Sequence, residues 1–204
     1  MWPNWAPPTV SSQETTKYEI KTRFVSGLGF SRAVEFEEKE WALAPAMARP
    51  NRNAFPGEIL STARTFFATT KTYGGRRLLQ TDRNATLLIE VLRSYVAARK
   101  FRLLDFVVMP NHLHLLITVP SGVTIERAMQ LVKGRFSFRL KKEFGYPGEV
   151  WQAGFSEVRA DTKESIAAFR GYIAQNPVRA GLAESPGQYP YCYEFLAKMK
   201  ASRG

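Results

Sequence analysis

The sequence predicts an α+β domain, an antiparallel sheet with helices on one face in a ferredoxin-like plan. Two observations carry that expectation. Apolar β-rich segments and helically spaced ones follow one another in the order β-α-β-β-α-β-α, and a turn-forming pair, Pro110-Asn111, joins the two middle strands as a hairpin.

The first strand is expected within residues 59–70, where threonine and aromatic side chains favour extended backbone, and Gly74-Gly75 ends it. Residues 84–100 place Leu87, Leu88, Val91, Leu92, Tyr95 and Val96 at three-and-four spacing, an amphipathic helix that closes on the basic pair Arg99-Lys100. Residues 101–109 and 113–119 are the hairpin strands. Thr124 can cap a second helix carrying Ile125, Ala128, Met129, Leu131, Val132, Phe136, Phe138 and Leu140, which the run Gly145-Tyr146-Pro147-Gly148 stops. A further strand is expected in 150–160. A last helix runs over 163–176, with Pro177 as its terminator, because proline lacks the amide hydrogen and disfavours helical backbone before it.

Ahead of this pattern, residues 1–57 hold six of the twelve prolines, polar stretches and an acidic patch at 35–40, and read as an extension of low order. Residues 194–204 read as a basic C-terminal tail. The single cysteine, Cys192, excludes an intrachain disulfide and a cysteine-rich zinc cage, leaving ordinary packing. No run approaches the roughly 18 to 20 apolar residues of a membrane span, and the N-terminus lacks the layout of a secretory signal, so a cytoplasmic protein without a membrane partner is expected. The net charge of +11 points to a polyanionic partner, since lysine and arginine neutralising phosphates supply most nonspecific nucleic-acid affinity. Only +1 of it lies in residues 1–57, so the basic part is the part expected to fold.

Both histidines of the chain, His112 and His114, stand two apart on the second hairpin strand. Strand periodicity sends them to one face, close enough to share a metal ion, while Leu113 and Leu115 point the other way. An arbitrary His-x-His is more often two surface histidines on a strand edge. Tyr172 and Asn176 lie four apart and therefore on one side of the last helix. A tyrosine hydroxyl beside a metal-bound phosphate can act as nucleophile, and the asparagine amide oxygen can complete the ligand set. Taken alone, Tyr172 could equally be a core residue with a tethered hydroxyl, and Asn176 a helix cap.

Together the two segments, Val107-Val-Met-Pro-Asn-His-Leu-His-Leu-Leu-Ile117 and Tyr172-Ile-Ala-Gln-Asn-Pro-Val-Arg-Ala-Gly-Leu182, resemble the IS200-like, REP-associated single-tyrosine transposase family. The intervening Ile125–Arg139 and Val150–Phe155 agree with it, and the resemblance spans about residues 57–193. It implies a catalytic domain over 58–193 of the HUH endonuclease type, on an RRM-like fold. It also implies His112, His114 and Asn176 as ligands of a divalent metal, Mg²⁺ or Mn²⁺, and Tyr172 as the residue that cuts single-stranded or hairpin DNA through a 5′-phosphotyrosine. A monomer and a homodimer are both compatible with it. Two imidazoles and an amide make a softer donor set than Mg²⁺ usually selects, which favours Mn²⁺ or even Zn²⁺ in vitro. No nucleotide-binding phosphate loop is present, consistent with strand transfer that stores its energy in the phosphotyrosine bond.

DNA contacts are expected from basic residues flanking the site: Arg76, Arg77 and Arg83 after the first strand, and Lys133, Arg135, Arg139, Lys141 and Lys142 on the second helix. The alternative function is a noncatalytic module or repressor that binds structured nucleic acid on the same fold. A histidine-ligated metallohydrolase would require carboxylates that neither motif supplies.

Overall fold

The computed structural model describes residues 61–202. The expected extension over 1–57 lies outside them. Four strands, β1 (Arg64–Lys71), β2 (Arg102–Val108), β3 (His112–Val119) and β4 (Ser156–Arg159), form one antiparallel sheet in the order β2-β3-β1-β4. Between and after them come α1 (Asp82–Ala97), α2 (Ile125–Phe144), α3 (Lys163–Arg179) and α4 (Tyr193–Ala201). The β-α-β-β-α-β-α order and the α+β class are those expected from the sequence.

Local signals explain the element ends. Thr81, Thr124 and Thr162 cap α1, α2 and α3, each hydroxyl accepting from a backbone amide of the first turn. Gly145 ends α2 in the left-handed region at φ 63°, a conformation that glycine adopts without a Cβ penalty. The fourth strand is shorter than its sequence suggests. Trp151 pairs with Thr72 as an isolated bridge, and Gly154 at φ 72° breaks the chain before the ladder resumes at Ser156.

Helices α1 and α2 cover one face of the sheet, where Phe66, Ala68, Leu113, Leu115 and Ile117 meet Leu88, Leu92, Met129 and Phe136 in a single buried cluster. That face carries the main core. The alternate residues Phe67, Thr69, His112, His114 and Leu116 point to the second face, and α3 lies across it, with Phe169 stacked on Phe67 at 4.6 Å between ring centroids. A leucine–phenylalanine face against two amphipathic helices dictates the first packing. The second face holds polar groups and is covered by a helix whose own apolar stripe is narrow, Phe169, Ile173 and Pro177 being its buried residues.

Two local expectations change. Pro177 does not stop α3, which continues to Arg179. The turn after it is held by Ala180 N–H donating to the Asn176 carbonyl and Leu182 N–H to the Pro177 carbonyl, so the missing proline amide removes one bond without ending the helix. Most of the segment read as a basic tail is α4, which Cys192 caps. Its buried sulfur accepts from Phe195 N–H and donates to the Tyr189 carbonyl. Just before it, Val108 N–H donates to the Tyr191 carbonyl and Val107 bridges Cys192, which covers part of the outer edge of β2.

Asp105 on β2 is half-buried, and burial, opposed chiefly by a hydrogen bond from Phe106 N–H, pushes its carboxyl up from 3.8 to about 6. The folded state therefore binds this proton more tightly than the unfolded chain, so stability falls as pH rises from about 4 through about 6. At roughly 1.4 kcal/mol per pH unit and discounted for partial exposure, Asp105→Asn should stabilise the fold by about 1 to 2 kcal/mol at pH 7. The gain over wild type should vanish near pH 4, as measured by urea unfolding at the two pH values.

Candidate active site

Alternation along β3 brings His112 and His114 to the second face, their rings 4.7 Å apart between centroids and nearly perpendicular. The hairpin turn beneath them is pinned by the loop after β1. Thr72 N–H donates to the Asn111 carbonyl at 2.9 Å, and Leu79 N–H to the Pro110 carbonyl at 2.8 Å. Each imidazole is also oriented from behind. His112 Nδ1 lies 2.7 Å from Asn111 Oδ1, an acceptor, so the ring proton sits on Nδ1 and Nε2 presents a lone pair. His114 Nδ1 lies 2.7 Å from the buried hydroxyl of Thr69, its register partner on β1. With the ring proton on Nδ1 toward Thr69, His114 Nε2 is a buried lone pair, and the polar side chain set against the ring is that of Asn176.

Burial, with Lys71 adding repulsion, pushes the His112 pKa down to about 4. His114 is driven well below its ordinary value by burial first and then by His112, while Asn176, an acceptor for the protonated ring, opposes the shift. At neutral pH both rings are uncharged.

Helix α3 supplies the other half. The Tyr172 ring meets His114 edge to face at 5.4 Å and Phe67 at 5.6 Å. The same Phe67 ring stacks on His114 at 5.4 Å, so one side chain spaces both groups. Asn176 Nδ2 donates to the Tyr172 carbonyl at 2.8 Å, which fixes the amide and leaves Oδ1 to meet the His114 ring. Asn176 stands inside the helix and does not cap it. The four residues selected from the sequence thus lie together on one face of the sheet.

Of the basic residues selected for DNA contact, those on α2, among them Lys133, Arg135 and Arg139, lie on the other face of the sheet. Lys133 is half-buried and donates to the carbonyls of Gln152 and Gly154 at 2.9 and 2.6 Å, and Arg139 pairs with Glu90 at 3.0 Å and Glu143 at 2.6 Å. Arg76 lies against Tyr73 and Tyr146 and donates to the Tyr73 and Glu149 carbonyls, whereas Arg77 and Arg135 are exposed. Sequence reading passed over Thr69, Asn111 and Phe67. Asn111 adjoins His112 and could have been noticed, but Thr69 and Phe67 become visible only with the β1–β3 register.

The sequence model of IS200-like transposases matches residues 69–176, just over half of the chain, and both histidines, Tyr172 and Asn176 fall within the match. The chain belongs to the IS200-like transposase family. Among solved structures, this transposase family member is similar to a REP-associated tyrosine transposase bound to a REP hairpin. The TM-score is 0.55 and the identity 22%, over 65% of this chain and 78% of that one, a likeness of fold. A protein from Deinococcus radiodurans R1 described as a transposase aligns with TM-score 0.44 and 20% identity, over 55% of this chain and 90% of that one. No curated protein matches the chain. Among the described residues no helix is long and apolar enough to cross a membrane.

Two neutral imidazole nitrogens and an amide oxygen on one face are a donor set that could hold a divalent cation. The burial of His114 beside the Asn176 side chain, with its Nε2 paired to no other group, favours it, since a buried polar atom is otherwise destabilising. No third histidine, cysteine or carboxylate joins the cluster among the described residues, so the amide would be the third protein ligand.

Proposed function

We propose that this transposase cuts and rejoins single-stranded, hairpin-containing DNA through a covalent bond to Tyr172. The contact of the Tyr172 ring with His114, a buried imidazole that also meets the Asn176 side chain, is the observation that carries the reading. In the proposed reaction the Tyr172 Oη attacks the scissile phosphorus and the bond to the 3′ oxygen breaks. The tyrosine proton passes, in net terms, to that oxygen as a free 3′-hydroxyl, and the protein keeps a 5′-phosphotyrosine. Attack by another strand's 3′-hydroxyl reverses the step and restores the phenol.

His112 Nε2, His114 Nε2 and Asn176 Oδ1 would hold Mn²⁺ or Mg²⁺, and such an ion, when bound, withdraws charge from the scissile phosphate. Asn111 and Thr69 keep the ring protons on the far nitrogens, and Phe67 spaces nucleophile and imidazole. The hairpin substrate is suggested by the solved relative bound to a REP hairpin and by the +11 net charge.

The test incubates the purified chain with end-labelled single-stranded hairpin DNA from beside its own gene, with Mn²⁺ or Mg²⁺, followed by a denaturing gel. A metal-dependent protein–DNA adduct is expected. Tight hairpin binding without cleavage under either metal would instead favour the binding-module alternative.

The hydroxyl behind His114 yields a separate expectation. Thr69→Val preserves shape but removes the acceptor that fixes the tautomer, and loss of such a supporting partner typically weakens a metal site by about 10 to 100-fold. Mn²⁺ titration followed by electron paramagnetic resonance should show a fall of that size.

A further inference from the structure

The continuation of α3 past Pro177 keeps one more side chain in register with the candidate site. Tyr172, Asn176 and Arg179 stand at i, i+4 and i+7, one stripe of the helix. Had the helix ended at Pro177, Arg179 would have left that stripe. Side chains on a helix lean toward its N-terminus, and the long Arg179 side chain does so, its guanidinium carbon lying 5.8 Å from the centroid of the Tyr172 ring. Arg179 is exposed, and no carboxylate pairs with it among the described residues. The guanidinium therefore stands beside the candidate nucleophile with its donors uncommitted. Lys133 and Arg139 differ on both counts, because they are engaged within the protein and lie on the opposite side of the sheet.

We infer that Arg179 contacts the nonbridging oxygens of the scissile phosphate and stabilises the charge that builds there as Tyr172 attacks. The inference rests on the transposase reading above. The chemistry suits the residue: a guanidinium stays charged at all working pH values and offers paired donors that match a phosphate bidentately, where an ammonium offers only a point charge. Cleavage retains the balance already given, Tyr172 Oη forming the bond to phosphorus as the bond to the 3′ oxygen breaks. Arg179 exchanges no proton and holds the phosphoryl oxygens throughout. Because their charge density changes between ground and transition states, a preorganised donor there raises the rate more than the affinity.

The experiment measures single-turnover cleavage of the labelled hairpin by wild type, Arg179→Ala and Arg179→Lys. Hairpin affinity is measured separately in a Tyr172→Phe background, where no adduct can form. Arg179→Ala should lower the cleavage rate by about 100-fold while changing affinity by about threefold or less, with Arg179→Lys recovering part of the rate. Thermal melts should coincide, since the side chain is exposed. If wild type cleaves and Arg179→Ala cleaves at the same rate, the inference falls and the transposase reading stands. A loss confined to affinity also overturns it, by making Arg179 a ground-state phosphate contact. If wild type forms no adduct at all, the transposase reading falls first and the role of Arg179 with it.

Discussion

Tyr172→Phe should remove the covalent protein–DNA adduct entirely and lower strand cleavage by at least about a thousandfold, while leaving hairpin binding and thermal stability close to wild type. The substitution deletes one oxygen. Everything that positions the ring survives: its T-shaped contacts with Phe67 and His114 are ring-to-ring, and Asn176 holds the residue through its backbone carbonyl. A core tyrosine with a tethered hydroxyl would behave in the opposite way, since losing a buried hydrogen bond costs about 1 kcal/mol of stability and no chemistry. Gel analysis of labelled hairpin, alongside thermal melts of the two proteins, separates these cases. Unchanged adduct in the variant would exclude Tyr172 as nucleophile and direct attention to another hydroxyl.

The order of elements was legible because each rests on a short-range signal. Period-two and period-3.6 patterns, the Thr124 cap and a proline–asparagine turn all survive tertiary packing. Strand and helix periods made each pair legible, His112 with His114 and Tyr172 with Asn176, whereas joining the two pairs into one site rested on the family resemblance. Other features depended on contacts distant in sequence. Nothing local tells that α3 crosses the face opposite α1 and α2, because its stripe Phe169, Ile173 and Pro177 would suit either face. The DNA-contact candidates on α2 were chosen by charge alone, and charge does not report that Lys133 reaches backbone carbonyls or that Arg139 meets Glu90 from α1. Pro177 misled because proline's lost hydrogen bond outweighs a helix only where nothing else holds the turn. Here Asn176 and the bonds of Ala180 and Leu182 hold it.

The two histidines should behave alike toward metal and differently toward folding, which tests the site against a purely structural account of the pair. Alanine at either position removes one of two imidazole nitrogens, and with only an amide left beside the survivor, Mn²⁺ binding should become undetectable by electron paramagnetic resonance. Cleavage should fall by about a thousandfold or more in both variants, as expected when a charge-withdrawing ion can no longer be held. Stability should then divide them. His114 is 4% exposed, packs between Phe67 and Tyr172, and satisfies the Thr69 hydroxyl, so His114→Ala opens a cavity and orphans a buried polar group. A loss of about 2 to 4 kcal/mol is expected from those two effects together. His112 is half-buried and its partner Asn111 can turn to solvent, so His112→Ala should lose about 1 kcal/mol or less. Denaturant unfolding in the presence of chelator measures this difference free of any contribution from bound metal. A His112→Ala protein that is folded, binds hairpin DNA and still cleaves it at the wild-type rate would rule out a shared metal site. A folded variant that binds but neither cleaves nor takes up Mn²⁺ would tie the chemistry to the imidazole pair, since loss of fold could no longer account for it.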